Sequence, residues 1–309
     1  MDTPLISFIS AVYNKADVVL ETLELLRCQR GVPADKMEFV FVDDSSTDTS
    51  LAVLREAAKA DSRVKVIASD VNRGPSVRFN DAAAAASGQY LLAVDADDML
   101  PANAARFLLD AATMTSSPLV FGKSRRSDAC LDIPADAALT VADSPLTFCA
   151  QRKIVRMGFL CERQLWEVAG GADERVFIQD QSLPLRLSHA ASRLTYVEDY
   201  VYYLRSRGDE NLSNNVQQQH HDRFFALLPF LEERGLQPDA RRALISQIVS
   251  AGWKAKRDSG VSMPLMSWAG LVYVLNRLIG IQPTTDRLAN LAADLRLLSG
   301  VRRPSEVSN

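Results

Sequence analysis

Two rhythms alternate along the first two-thirds of the chain: short apolar runs that stop at polar clusters, and longer stretches with one apolar face. Residues 5–11 (Leu-Ile-Ser-Phe-Ile-Ser-Ala) are the first apolar run and read as a strand. Residues 17–30 follow with Val18, Leu23 and Leu26 on a broad apolar face, and Gly31 and Pro33 stop that helix. Residues 38–42 form a second strand that ends in Asp43-Asp44-Ser45-Ser46-Thr47-Asp48. Thr47 or Asp48 is placed to cap a helix over 49–60. A third strand spans 64–68, and Asn72-Arg73-Gly74-Pro75 makes a turn. The helix over 76–86 is Ala-rich, which suits close packing on a sheet, and Ser87-Gly88 ends it. Residues 90–94 are apolar without alternation, as in a strand covered on both faces. Strand and helix in turn, with short links, predict an α/β fold: a mostly parallel, Rossmann-like sheet flanked by helices.

Beyond Pro101 the pattern predicts a helix to about 113 and a short strand over 119–122. Residues 123–150 show no clear period and read as irregular, and 152–158 read as a strand. A helix over 162–168 stops at Gly170-Gly171, and another opens near Asp180 and runs to about 191. Residues 194–197 and 201–204 read as paired strands. From about residue 215 the periodicity is helical only, over 217–233, 239–257, 265–279 and 286–298, punctuated by Pro238, Pro264 and Pro283. This places a domain boundary near 206–216, with an α/β domain over 1–210 and an all-α C-terminal region over 211–309. The polar tail from Arg302 is expected to be disordered.

Composition narrows the function. The chain has 309 residues, 47% hydrophobic and 24% charged, enough for a sizeable core. A formal net charge of -3 leaves no electrostatic footprint for nucleic acid. The four cysteines have no metal-binding spacing and read as reduced thiols of a cytoplasmic protein. Met1-Asp2-Thr3-Pro4 carries neither a basic region nor a cleavable apolar segment.

The candidate chemistry lies at the strand ends. The run from Tyr90 stops at Asp95, Asp97 and Asp98. Carboxylates this close repel one another unless a cation shares them, and a hard divalent ion such as Mn²⁺ or Mg²⁺ is the simplest partner. The competing reading is that these acids cap the helix after Pro101. A parallel sheet puts its C-terminal strand ends on one edge, where ligand sites form. Tyr13, Asp43, Asp44, Asp95 and Asp97 are therefore expected to converge.

These residues resemble an ordered set of motifs in the family-two glycosyltransferases, over roughly residues 4 to 205. The set is Ser10-Ala11-Val12-Tyr13-Asn14; Val42 to Asp48; Asn72-Arg73-Gly74 with Arg78 and Asn80; Gly88-Gln89-Tyr90; Asp95-Ala96-Asp97-Asp98; Gly170 to Glu174; and Asp180. The resemblance implies the A-type nucleotide-sugar fold and an inverting, metal-dependent transfer from a nucleotide-diphosphate sugar, UDP foremost, to a hydroxyl acceptor. It implies that Ala11, Tyr13 and Asp43 hold the base and that Asp95 lies by the ribose and metal. Asp97 would ligate Mn²⁺ or Mg²⁺, Arg73 and Arg78 would meet the nucleotide or diphosphate, and Asp180 would be the base. The acid before this base in many relatives is Glu, and here it is Gln179. The His that many relatives carry after the last strands is also missing, and Arg205 or Arg207 stands near its place. The implied acceptor is a glycan or lipid-linked hydroxyl in bacterial surface polysaccharide or glycolipid synthesis, reached at the inner face of the membrane.

Two alternatives define the contrast. A nucleotidyltransferase or dehydrogenase would carry a Gly-rich phosphate loop after the first strand, and Ala-Val-Tyr-Asn stands there instead. A non-catalytic nucleotide-sugar binder would keep the fold without turnover. Residues 259–276 carry no formal charge and read as a helix packed on the catalytic domain or on a second subunit of a homo-oligomer. A peripheral membrane contact is the other reading of that segment.

Overall fold

The computed structural model describes residues 4–206, 215–233, 235–260 and 268–303. The first half alternates as the pattern predicts: β1 (Ile6–Val12), α1 (Val19–Arg27), β2 (Met37–Asp43), α2 (Ser50–Ala60), β3 (Val64–Ala68), α3 (Pro75–Ala85), β4 (Tyr90–Ala93) and α4 (Ala104–Thr115). The second half adds β5 (Leu119–Arg126), β6 (Leu139–Ala142), α5 (Pro145–Arg152), β7 (Phe159–Glu162), α6 (Arg163–Ala169), α7 (Gln179–Ala190) and β8 (Leu194–Leu204). Four helices follow: α8 (Val216–Leu227), α9 (Pro238–Asp258), α10 (Trp268–Ile279) and α11 (Thr285–Arg296).

The eight strands form one sheet in the order β3-β2-β1-β4-β7-β5-β8-β6. The β3-β2-β1-β4 half is parallel. β7 runs antiparallel between β4 and β5, and β6 is antiparallel to β8. Every residue of β2 is buried, as a central strand covered on both faces requires. Glu38, near its start, is held by the Ser7 hydroxyl, the Ser87 N–H at 2.8 Å, the Ser87 hydroxyl at 2.7 Å and Lys65. Those partners keep its carboxyl below the usual range despite burial.

Three expectations are corrected. Residues 123–150 are irregular only over 127–138: β5 runs on to Arg126, and β6 and α5 follow. The polar end of β5 stays extended because Arg125 stacks on Tyr200 at 4.7 Å and Tyr203 at 5.0 Å. Residues 152–158 are not a strand, since Arg152 closes α5 and the next strand begins at Phe159. Residues 194–204 are one strand, paired in parallel with β5 through two register shifts. The polar Glu198-Asp199 that reads as a turn sits at those irregularities, where Glu198 meets Arg152 at 2.8 Å.

The C-terminal helices pack back onto the α/β part. Phe224 and Leu244 belong to the same apolar cluster as the sheet residues. On α10, Tyr273 stacks on Trp253 of α9 with ring centroids 4.5 Å apart. The rest of the uncharged stretch, 261–267, lies outside the described residues, as do Arg207 and 304–309 of the tail. Among the described residues no helix is long and apolar enough to cross a membrane.

Gly158 shows how the second half supports the first. Its φ is +74°, and a Cβ there would meet Cδ2 of Tyr202 at 2.1 Å. Tyr202 is fully buried, and its hydroxyl accepts the N–H of Asp95 at 3.0 Å. Gly158→Ala is expected to cost about 2–4 kcal/mol through backbone strain and overpacking. Urea denaturation measures it, and an unchanged midpoint would refute this account of the position.

Candidate active site

The loops after β1, β2 and β4 meet at the C-terminal edge of the parallel half, and local hydrogen bonds fix them to each other. Asn14 takes a positive φ of 51°, which turns the chain sharply out of β1. Its amide oxygen accepts the Thr47 N–H at 2.8 Å. The Lys15 N–H reaches the Ser50 hydroxyl at 2.7 Å, and the Ala16 N–H reaches Asp48 at 3.1 Å. The loop after β4 is tied to β8, where Met99 and Tyr203 exchange main-chain hydrogen bonds of 2.9 and 3.0 Å. A cleft of about 530 Å³ opens above these loops.

Ala11, Tyr13, Asp95, Asp97 and Asp180 all line this cleft. Asp98, Lys15 and Gln179 join them. Asp95 accepts the Gln179 amide at 2.8 Å and the Tyr202 hydroxyl at 3.3 Å. Its carboxyl is pushed well up, first by desolvation and then by the charges of Asp98, Asp97 and Asp180. Asp98 accepts the Arg205 N–H at 3.1 Å, and burial with the Asp97 charge raises it to about 7. Asp180 is raised to about 6, chiefly by burial, against a hydrogen bond from Gln181 and the charge of Arg223. Asp97 takes Lys15 Nζ at 2.5 Å.

Other expected residues sit elsewhere. Asp43 is almost fully buried at the end of β2. One of its oxygens accepts the Ser46 N–H at 3.0 Å, and the other has no hydrogen-bond partner among the described residues. Asp44, not Asp43, faces the cleft, and it organises the turn before α3. Its carboxylate takes the N–H groups of Arg73 and Gly74, each at 2.8 Å, and Nε of Arg78 at 2.6 Å. Arg78 is buried there and also bonds Asp81 at 2.7 Å, so its guanidinium is committed to holding the turn. The Arg73 side chain points to Glu174 at 3.6 Å. Neither arginine lines the cleft. The cations that do are Lys15, Arg126, Arg205 and Arg302. Arg205 is buried, pairs with Glu21 at 2.6 Å, and keeps two guanidinium nitrogens unpartnered among the described residues.

The donor set suits a hard divalent ion. Its oxygens are all carboxylate, and Asp95 and Asp98 are raised first by burial and then by neighbouring carboxylate charge, which a bound cation would offset. Among the described residues no three metal-binding side chains converge on one point as they stand. Mg²⁺-type sites need only one or two carboxylates when substrate phosphates complete the shell. Asp97 and Asp95 fit that requirement.

The fold is shared with solved structures, and part of the sequence matches a known family. The profile described as "Glycosyl transferase family 2" matches residues 7–131. The poly(ribitol-phosphate) beta-glucosyltransferase of Bacillus spizizenii is 29% identical over 218 residues, covering 67% of this chain and 33% of that protein. The chain thus spans about a third of that relative's length. Residues 1–349 of S. aureus TarS superpose with a TM-score of 0.66 at 19% identity, over 93% of this chain and 83% of that one. The UDP-GlcNAc complex of the same TarS segment gives 0.60 at 18% identity, over 94% and 91%. The mannosyltransferase PcManGT of Pyrobaculum calidifontis, in complex with GDP-Man and Mn²⁺, gives 0.59 at 18% identity, over 96% and 86%. Fold and motifs define an A-type nucleotide-sugar architecture. Over residues 7–131 the chain is similar to the family-two glycosyltransferases.

Crowded acids predict an unusual pH response. A carboxyl raised by folding binds more protons folded than unfolded, so its contribution destabilises as pH climbs through the raised value. In EDTA at pH 8, Asp98→Asn is expected to melt about 2–4 °C above wild type. The gain should shrink at pH 5.5 and vanish only near pH 4, where the unfolded carboxyl is protonated as well. A variant less stable than wild type at pH 8 would show that the Asp98 charge is compensated.

Proposed function

We propose that this protein is an inverting glycosyltransferase that moves a sugar from a nucleotide-diphosphate sugar, UDP-linked in the first instance, to an acceptor hydroxyl. The observation that carries the reading is the meeting of Asp180 with Asp95 and Asp97 in one cleft walled by Ala11 and Tyr13. Asp97 and Asp95 would hold Mn²⁺ or Mg²⁺, which supplies Lewis-acid stabilisation of the departing diphosphate. In this reading residues 1–210 hold the donor site, and residues 211–309 brace it.

Asp180 does the proton work. Its carboxylate takes the acceptor hydroxyl proton as the acceptor oxygen bonds to the anomeric carbon. The bond from that carbon to the diphosphate oxygen breaks, and its electron pair leaves with the nucleoside diphosphate. One base and no carboxylate nucleophile make this a single displacement with inversion. A base with a value near 6 is ionised at neutral pH yet still basic enough to accept a developing proton. The relative named as a poly(ribitol-phosphate) beta-glucosyltransferase supports a polymer hydroxyl as the acceptor.

Asp180→Asn is expected to lower turnover by about 10²–10⁴-fold and to leave UDP binding intact. Wild-type kcat/KM should fall as pH drops through about 6, where Asp180 takes up a proton. Nucleotide release from UDP-sugars, with isothermal titration of UDP, measures both. A variant that binds UDP and turns over normally would remove Asp180 from the mechanism.

A further inference from the structure

The cleft has one wall that comes from the far end of the chain. Arg302 lies beyond α11, yet it lines the cleft beside Asp44, Asn72 and Phe177. Its guanidinium donates to the Asn72 amide oxygen at 2.7 Å. Its Cζ sits 4.4 Å from the centroid of the Phe177 ring. That ring also lies against Gly74, where a Cβ would be 2.5 Å from a ring carbon. A glycine there lets the ring close against the turn before α3. The guanidinium thus joins two loops that belong to different parts of the fold.

The arm that carries Arg302 is built in, not draped. Gln218 of α8 is almost fully buried, and its amide clamps the Arg302 main chain from both sides. The Arg302 N–H donates to it at 2.6 Å, and it donates to the Arg302 carbonyl at 3.0 Å. Gln217 donates to the Ser299 carbonyl at 3.0 Å, and Val301 is buried. The same Gln218 amide donates to Asp222 at 2.9 Å, and Asp222 accepts the N–H of Ile178 at 2.8 Å, two residues before Asp180. The residue that seats the arm therefore also helps seat the segment that bears the proposed base.

Position along the sheet edge says which end of a donor Arg302 meets. Asp44 follows β2 and Asn72 follows β3, whereas Asp95 to Asp98 follow β4. In the order β3-β2-β1-β4, Arg302 stands on the β2–β3 side, away from Asp95, Asp97 and Asp98. In the donor reading above, the diphosphate belongs with the carboxylates and the nucleoside with the β1–β2 side.

We propose that Arg302 is a donor-binding residue that closes the nucleoside end of the cleft, so that the C-terminal arm is part of the active site. A planar guanidinium held flat on Phe177 offers N–H donors to the base carbonyls and the ribose at little entropic cost. This rests on the donor reading, and the test separates the two. Isothermal titration with UDP and with UMP is run on wild type, Arg302→Ala and Arg302→Lys, with melting temperatures for each. Wild type should bind both nucleotides. Arg302→Ala should weaken both by the same factor, roughly tenfold for one lost charged hydrogen bond. Arg302→Lys should recover only part of that loss, and all three proteins should melt together because the side chain is exposed. Unchanged affinity in Arg302→Ala overturns the inference while the donor reading stands. A loss confined to UDP overturns the nucleoside placement. Wild type that binds neither nucleotide overturns the donor reading and the inference with it.

Discussion

Carboxylate repulsion is the constraint around which the rest of this molecule is arranged. Asp95, Asp97, Asp98 and Asp180 crowd one cleft, and desolvation adds to their mutual repulsion. Such a group would relax apart if its loops were free, so the fold has to hold it. The sheet does this from below, because β1 and β4 are adjacent and in register from Ile6↔Tyr90 to Ile9↔Ala93. The Ser10 hydroxyl continues the tie with a 2.7 Å bond to the Val94 carbonyl. From the side, Tyr202 pins both the main chain and the carboxylate of Asp95.

The electrostatic strain also has a direction. Raised values for Asp95, Asp98 and Asp180 mean that adding positive charge to the cleft stabilises the folded chain. Lys15 supplies one such charge at Asp97. The cleft is therefore poised for added positive charge. Gln179 fits this balance. Its amide donates to Asp95, where a glutamate would add a further negative charge instead of a hydrogen bond.

How far the sequence reveals this follows from the range of each interaction. The strand ends are legible because short apolar runs stopping at acids encode a parallel sheet and its edge together. The turn at Asn72 to Pro75 is legible as a turn, but its occupant is not. Arg78 reads as a phosphate ligand, yet its guanidinium is buried on Asp44 and Asp81, a fact of three-dimensional packing. Lys15 gives only a local hint, one residue past the β1 motif. Residues 123–150 are opaque because β5 and β6 draw their order from β8, which lies far along the chain. Arg302 is invisible by the same logic. A polar tail reads as disordered until α8 is seen to hold it.

The C-terminal helices can be understood in the same way. Helix α7 carries Asp180 in its first turn, and Pro184 sits inside that helix. A proline removes one internal hydrogen bond and weakens the first turn from within. Two neighbours on α8 compensate from outside. Asp222 accepts the N–H of Ile178 at 2.8 Å, just before the helix, and Arg223 donates to the carbonyl of Gln181 at 3.1 Å, just inside it. Both side chains are buried, and Arg223 is steadied in turn by Gln247 of α9 at 2.6 Å. Gln247 then donates to the Ala150 carbonyl at the end of α5, at 2.7 Å. The proposed base is therefore gripped on both flanks by residues from a helix that the α/β pattern does not include. A catalytic carboxylate on a proline-weakened first turn needs such support, and that need accounts for helices packed so tightly against a sheet that already has its core.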